Sequence, residues 1–276
     1  MFKIARELLF LAFPICIGLL GASVMGLTDL YFLGQIGPTE VAAGGVVTAI
    51  FSVPFVVAMG LVQGLEYMVA FQAGAGNKER SAILIWQGFI VSLISCLVLT
   101  FALFVYADHL SWTVPNEAQR QLTREFLKVF ALSLTPLILF TLIRSYLQAL
   151  GSAWPGTLGL LAATLANVGL NKILIHGLDF AGLTVPGMGA IGSAYATLVC
   201  RLLMCLGIFL WAFAKHQDLR QAFFHRITWR FDSIPEILRL GVPSALHLSL
   251  EVGVFSFISV LAARLSVQSS ATHQLL

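Results

Sequence analysis

The chain has 276 residues, of which 58% are hydrophobic and 11% are charged, and its mean hydropathy is +0.91. Soluble domains carry about 25% charged residues, so this composition excludes a protein whose whole surface faces water. The net charge of +3 is small, and the basic residues cluster at segment ends, so we expect no nucleic-acid partner.

Seven apolar segments follow one another along the chain. A membrane-spanning helix needs about 20 mostly apolar residues, and Gly- and Pro-rich breaks such as Gly37-Pro38 separate segments of that length. The first segment is too long for the core of a signal peptide and lacks a small-residue cleavage site, so we expect it to be retained. The predicted spans are 8–33, 42–72, 82–106, 122–149, 157–177, 188–214 and 235–263.

The distribution of Lys and Arg between the loops predicts the orientation. With the N-terminus in the cytoplasm, ten basic residues lie on or near the cytoplasmic face and five on the other. Basic residues prefer cytoplasmic loops. We therefore expect a multi-pass protein of the inner or plasma membrane with a cytoplasmic N-terminus.

The opening of the first span recurs at the seventh. Residues 7–14 and 236–243 are identical at four of eight positions, and both end in proline. Six predicted helices separate the copies, so both start from the same side and form a parallel repeat. This predicts an N-lobe of six helices over 1–214, a cytoplasmic linker over 215–234, and the start of a C-lobe over 235–276.

The linker mixes basic and aromatic residues. Two readings remain open: an amphipathic helix that lies on anionic lipid, or a basic loop between the lobes. Membrane lipid is therefore an expected partner. The residues concerned are Lys215, Arg220, Phe223, Phe224, Arg226, Trp229, Arg230 and Phe231.

Ionisable and amide side chains within the spans mark candidate sites, because such groups are costly in lipid. Asp29 lies in the outer half of the first helix and is a candidate acid for proton or cation binding; a helix-packing hydrogen bond is the alternative. Asn167 and Asn171 stand four residues apart on the fifth helix, so their side chains point into the same space. They are typical either of a cation site or of helix packing.

The seventh helix carries a second candidate acid. Glu251 lies near its middle, and His247 precedes it by one turn, so the two could share a hydrogen bond. Weaker candidates for lining a substrate cavity are Tyr31, Gln63 and His247. We expect no metal other than Na⁺ at the coupling residues.

Several motifs resemble the multidrug and toxic compound extrusion (MATE) family. They occur in order along nearly the whole chain. They are Pro14 with Gly26-Leu27-Thr28-Asp29, Leu33-Gly34-Gln35-Ile36-Gly37-Pro38, Gln72-Ala73-Gly74-Ala75-Gly76-Asn77, Arg144-Ser145-Tyr146-Leu147-Gln148-Ala149-Leu150-Gly151 with Pro155, Asn167-Val168-Gly169-Leu170-Asn171, Gly187-Met188-Gly189-Ala190-Ile191-Gly192-Ser193-Ala194, Leu250-Glu251-Val252 and Ala271-Thr272-His273-Gln274.

The resemblance implies an all-α integral membrane fold and a secondary antiporter. Such a protein has two six-helix lobes around a cleft and exports drugs or toxic organic cations in exchange for H⁺ or Na⁺, without a cofactor. By resemblance, Asp29, Asn167 and Asn171 belong to the N-lobe ion site, and Glu251 to the C-lobe site. Members run to about twelve helices, so we expect this chain to be C-terminally truncated and inactive in transport alone.

Other functions fit the residues less well. A flippase for lipid-linked oligosaccharides would need basic residues in its cleft, and Arg201 is the only one at mid-helix depth. A seven-helix receptor would have the opposite orientation and would leave the repeat unexplained. No metal or nucleophile motif of a membrane-embedded enzyme is present in the sequence, so we expect no catalytic activity.

Overall fold

The computed structural model describes residues 2–180, 183–224 and 231–265. Within these ranges the chain forms nine α-helices and one β-hairpin. The helices are α1 (Phe2–Ile36), α2 (Pro38–Gly74), α3 (Lys78–Ala107), α4 (Glu117–Leu132), α5 (Leu134–Ala149), α6 (Trp154–His176), α7 (Ala190–Lys215), α8 (Gln217–Phe224) and α9 (Ile234–Leu265), and the strands are β1 (Leu178–Phe180) and β2 (Leu183–Val185).

Among the described residues, seven spans are long and apolar enough to cross a membrane, which confirms the predicted number. The fold is helical as expected except for the antiparallel hairpin, which the sequence did not predict. Gly177, with φ of 85°, ends α6, and Gly189, with φ of 57°, precedes α7. Both angles lie in the left-handed region that glycine tolerates best.

The predicted fourth span consists of two helices. α4 ends at Leu132 and α5 begins at Leu134, with Ser133 between them. Pro136 has no amide hydrogen to donate to the carbonyl of Leu132, so the helical ladder cannot continue unchanged. The Ser133 hydroxyl donates to the carbonyl of Phe130, on the preceding turn, at 2.5 Å. The break places this hydroxyl inside the bundle, where Ser133 is fully buried.

The six spans formed by α1 to α7 pack around one apolar core. Helix α1 packs along α6, and α6 packs along α7. Helix α7 also packs against α5. Tyr146 of α5 is completely buried in this core. The order α1–α6–α7 matters for function, because it brings the polar residues of three helices to one place.

Helix α9 packs closely along α2 through small residues. A Cβ atom added to Gly60 would lie 2.2 Å from the Cα of Ala245, and one added to Gly64 would lie 2.5 Å from the backbone nitrogen of Gly241. Small residues four apart allow helix backbones in membranes to approach closely. This packing attaches the seventh span to the six-helix lobe.

A second attachment, which we call the α3–α9 latch, joins α3 to the start of α9. Arg80 donates to Asp232 at 3.2 Å and to the Ser233 hydroxyl at 2.8 Å. Gln87 donates to Asp232 at 2.8 Å and accepts the backbone N–H of Ser233 at 3.0 Å. Four polar groups are therefore satisfied by one another just before α9 begins.

The latch predicts a pH dependence of stability. The hydrogen bond from Gln87, followed by the charge of Arg80, holds the pKa of Asp232 below its usual value. A lowered pKa in the folded chain stabilises it above the unfolded-state pKa of about 4, and this contribution disappears as the pH falls through the lowered value. We expect Asp232→Asn to lower the melting temperature at pH 7, with the difference from wild type vanishing in strong acid. Thermal unfolding in detergent over a pH series measures this difference. A constant difference at every pH would contradict the assignment.

Part of the predicted linker folds back onto the lobe. Helix α8 directs the Phe223 ring against the rings of Trp86 and Phe89 on α3, with centroids 5.0 and 5.2 Å apart. Phe224 is 73% exposed. Residues 225–230 of the linker, with Arg226, Trp229 and Arg230, lie outside the described residues, as do residues 266–276 with the motif at 271–274.

Candidate functional site

The polar centre of the lobe is a carboxylate held by three donors. The Asp29 carboxylate accepts hydrogen bonds from the Asn171 amide at 2.7 Å and the Asn167 amide at 3.2 Å, both on one oxygen. Its second oxygen accepts from the Thr197 hydroxyl at 2.8 Å. We call these four residues the Asp29 cluster. Hydrogen bonds to a charged acceptor are shorter and stronger than neutral ones, so this geometry suits the ionised acid.

Three helices build the cluster. Asp29 lies near the end of α1, the two asparagines lie four residues apart on α6, and Thr197 lies on α7. Asn167, Asn171 and Thr197 are at most 1% exposed, whereas Asp29 is half-buried. The asparagines also bond to each other at 3.1 Å, which fixes the amide orientations toward the acid.

One acceptor in the cluster has no partner. The Asn171 side-chain oxygen is buried and accepts no hydrogen bond within the part of the chain that the structure describes. An unsatisfied buried acceptor costs about 1–3 kcal/mol. It lies on the residue that already bonds to Asp29. A cation beside the carboxylate, or a donor brought by a ligand, would relieve this cost.

Arg201 lies one turn beyond Thr197 on α7 and belongs to a separate set of contacts. Its guanidinium donates to the Ser133 hydroxyl at 2.5 Å. It also stacks over the Phe130 and Phe51 rings, 4.7 and 5.2 Å from their centroids. A guanidinium over aromatic rings is stabilised by the ring quadrupoles. Arg201 therefore ties α7 to the break between α4 and α5.

The remaining candidates lie on exposed surfaces of α1, α2 and α9. Glu251 and His247 are both exposed, and no hydrogen bond or ion pair joins them within the described residues. Tyr31 is 64% exposed, with its ring against Phe32, and Gln63 is exposed on α2. The structure thus brings together Asp29, Asn167 and Asn171. The exposed candidates Glu251, His247, Tyr31 and Gln63 are not part of this cluster.

Sequence reasoning missed Thr197. A single threonine in an apolar helix usually bonds to the carbonyl one turn earlier, so its type alone carries no signal. The spacing of the polar residues on α7 could have indicated its role. Ser193, Thr197 and Arg201 follow one another at intervals of four residues, so they form a polar stripe on one face of the helix. Such a stripe predicts a face that points into the lobe.

Thr197 provides a test that is specific for its hydroxyl. We expect Thr197→Val, which keeps the shape and removes the hydroxyl, to weaken Na⁺ binding or to strengthen proton binding by roughly ten- to a hundredfold, since a bond to a charged group contributes about 1.5–3 kcal/mol. Thr197→Ser should restore the wild-type value. Ion-dependent ligand binding by the purified variants measures both. Equal affinities for the valine variant and the wild type would exclude Thr197 from the site.

Comparison with known proteins gives one consistent result. A protein-family model described as MatE matches residues 14–173. The probable multidrug resistance protein NorM of Synechocystis sp. is 30% identical over 277 residues, covering 98% of this chain and 58% of the relative. The multidrug resistance protein MdtK of Yersinia pestis is 28% identical and covers 98% of this chain and 59% of the relative. The chain therefore spans somewhat over half the length of these relatives.

Solved structures share the fold. A eukaryotic MATE transporter superposes with a TM-score of 0.83 at 19% identity, covering 95% of this chain and 57% of that one. The outward-facing conformation of a multidrug resistance MATE family transporter superposes with a TM-score of 0.80 at 24% identity, covering 97% and 58%. At these identities the likeness concerns the fold. The matched proteins are described as transporters or as multidrug resistance proteins.

Proposed function

The chain belongs to the MatE family, and from this premise we propose that it works in secondary antiport. Together with a second lobe, it would export cationic or amphipathic compounds in exchange for H⁺ or Na⁺. The relatives named as multidrug resistance proteins support this substrate class. The seven apolar spans support a multi-pass membrane protein, which we place in the inner or plasma membrane with a cytoplasmic N-terminus.

The observation that carries the proposal is the Asp29 cluster. An acid in a membrane span must be paired, protonated or in contact with water. The Asp29 carboxylate accepts hydrogen bonds from two amides and one hydroxyl of neighbouring helices. Within the described residues, no ion pair joins Asp29 to a Lys or Arg. A carboxylate whose direct contacts are neutral donors, with the charge of Arg201 acting from beyond ion-pair distance, can take and release a cation, which is what coupling requires.

Two ions suit these side chains. Na⁺ binds to hard oxygen ligands, and the cluster offers the Asp29 carboxylate, the Thr197 hydroxyl and the unpartnered Asn171 oxygen. A proton needs the carboxylate alone. We propose that the same acid serves whichever ion drives export, and that Glu251 of α9 serves as a second coupling acid when a complete C-lobe surrounds it.

Ligand binding by the purified chain tests the proposal. The chain in lipid nanodiscs is titrated with the lipophilic cation tetraphenylphosphonium over a pH series without Na⁺, and over an Na⁺ series at one pH with choline holding the ionic strength constant. We expect the affinity to fall as the coupling ion rises in one of the two series, since ion and substrate exclude each other in an antiporter. An affinity independent of both ions would overturn coupling, and no binding would overturn the substrate class.

Transport is a separate expectation for this polypeptide. Alternating access requires two units that move against each other around the site, and the described residues form one six-helix lobe with α9 attached. We therefore expect ion-dependent binding without coupled efflux. Uptake of tetraphenylphosphonium by proteoliposomes with an imposed pH or Na⁺ gradient measures this, and gradient-driven uptake above empty liposomes would contradict it.

A further inference from the structure

Two threonines of α6 donate hydrogen bonds to the backbone of α1. The Thr157 hydroxyl donates to the carbonyl of Pro14 at 2.8 Å, and the Thr164 hydroxyl donates to the carbonyl of Gly21 at 3.1 Å. Both threonines are buried. Each also lies within reach of the carbonyl four residues earlier on its own helix, at 3.3 and 2.9 Å. Each hydroxyl has one proton to share between its two acceptors; the contact with α1 is the shorter one for Thr157, and the contact within α6 is the shorter one for Thr164.

The two bonds have the same register. Each joins residues separated by 143 positions, and both donors and acceptors are spaced by seven residues. Seven residues are two helical turns, or about 10 Å of rise. A further seven residues from Thr164 lead to Asn171, whose amide bonds to Asp29, 142 positions away. The contacts of Thr157, Thr164 and Asn171 with α1 thus form one line, which we call the seam. Its third contact is the one that holds Asp29.

Two glycines of α1 line this seam. A Cβ added to Gly21 would lie 3.2 Å from Leu161 and 3.9 Å from the Thr164 hydroxyl. One added to Gly18 would lie 3.1 Å from the Arg144 guanidinium and 3.5 Å from the Thr157 hydroxyl. Both threonine hydroxyls thus lie within van der Waals contact of the added atoms, and only the ends of the Arg144 and Leu161 side chains would have to shift by a few tenths of an ångström. The acceptors are backbone carbonyls, so the bonds report the axial position of α1 itself.

We propose that Thr157 and Thr164 are positioning residues that fix the axial and rotational register of α1 against α6, and so set the distance between Asp29 and the amides that bind it. This rests on the proposed coupling role of Asp29. One residue of slippage moves a helix by about 1.5 Å along its axis and turns it by about 100°. Either movement is larger than the tolerance of a 2.7 Å hydrogen bond.

The test removes the hydroxyls while keeping the side-chain shape. In Thr157→Val/Thr164→Val, the ion concentration that halves tetraphenylphosphonium affinity is expected to shift about eightfold, and about threefold in each single variant, as typical interhelical bonds in membranes predict. The Na⁺ concentration rises, because the Asn171 oxygen no longer lies beside the carboxylate, and the H⁺ concentration falls, because a carboxylate that loses donors binds its proton more tightly. Thr157→Ser/Thr164→Ser should behave as the wild type. Thr141→Val is the matched control, since the Thr141 hydroxyl donates to Leu137 of its own helix.

A distance measurement separates this proposal from the proposed function. Spin labels at positions 20 and 165, where Leu20 and Leu165 are 67% and 75% exposed, report the register of α1 and α6 after the four cysteines are replaced. We expect the double valine variant to shift or broaden this distance and the serine variant to keep it. A wild-type distance and ion dependence in the double valine variant would overturn the proposal. If the distance changes while Asp29→Asn leaves ion dependence intact, the register role stands and the coupling function fails.

Discussion

Asp29→Asn is expected to abolish the ion dependence of ligand binding. The substitution keeps the size of the side chain and removes the charge that a cation must meet. It also places an amide opposite the amide donors of Asn167 and Asn171, both of which now bond to the carboxylate. The remaining groups offer no site for a proton near neutral pH and only neutral oxygens for Na⁺. We expect the affinity for tetraphenylphosphonium to become constant over the pH series and over the Na⁺ series.

The control for this variant is an acid away from the cluster. Glu125 is an exposed residue of α4 on the rim of a polar pocket with Arg124 and Lys128, so Glu125→Gln removes a charge without touching the Asp29 cluster. It should retain the wild-type ion dependence. Thermal unfolding of both variants shows whether each is folded. A folded Asp29→Asn protein whose affinity still follows the coupling ion would refute the site assignment.

Gly60→Ala is expected to loosen α9 from the lobe. The added Cβ would lie 2.2 Å from the Cα, 2.3 Å from the nitrogen and 2.7 Å from the Cβ of Ala245. These are mainly backbone atoms, so no side-chain rotation relieves the overlap and the helices must move apart. Overpacking costs typically about 1–3 kcal/mol, and a clash with backbone belongs at the upper end. This exceeds the roughly 1 kcal/mol that alanine gains over glycine in a helix.

A cysteine pair reports this separation directly. The hydroxyls of Ser52 on α2 and Ser256 on α9 are 2.5 Å apart, so cysteines at these positions are close enough to be bridged. With the native cysteines replaced, Ser52→Cys/Ser256→Cys should cross-link readily under mild oxidation, and Gly60→Ala should slow that reaction. Gly253→Ala is the matched control, because a Cβ added there meets no atom within 4 Å. Equal cross-linking in both alanine variants would contradict the close packing.

Much of the fold could be predicted because lipid imposes a simple rule on sequence. Each span must be long and apolar, so all seven predicted spans are present. The break at Ser133 was not predicted, because residues 122–149 remain apolar through it and Pro136 was equally consistent with a mild bend. The hairpin of β1 and β2 was not predicted either, since three-residue strands are too short to show an alternating pattern.

The site was predictable where helical spacing determines it. Asn167 and Asn171 had to share a face of α6, and Asp29 had to be satisfied by something inside the lobe. Which helices meet could not be read from residue spacing, so only the family resemblance predicted that Asp29 lies with residues 138 and 142 positions away. The same limit hid the α3–α9 latch, in which Gln87 and Asp232 are 145 positions apart.

The two anchors on α3 have a consequence for protein engineering. Phe223 rests on Trp86 and Phe89, and Asp232 and Ser233 bond to Arg80 and Gln87. Both ends of the connection between α8 and α9 are therefore fastened to less than three turns of one helix. The entry point of α9 is set by these anchors and not by the number of residues between them. A reporter domain inserted between residues 225 and 230 should leave the seventh span in place, because lengthening a closed loop costs little entropy.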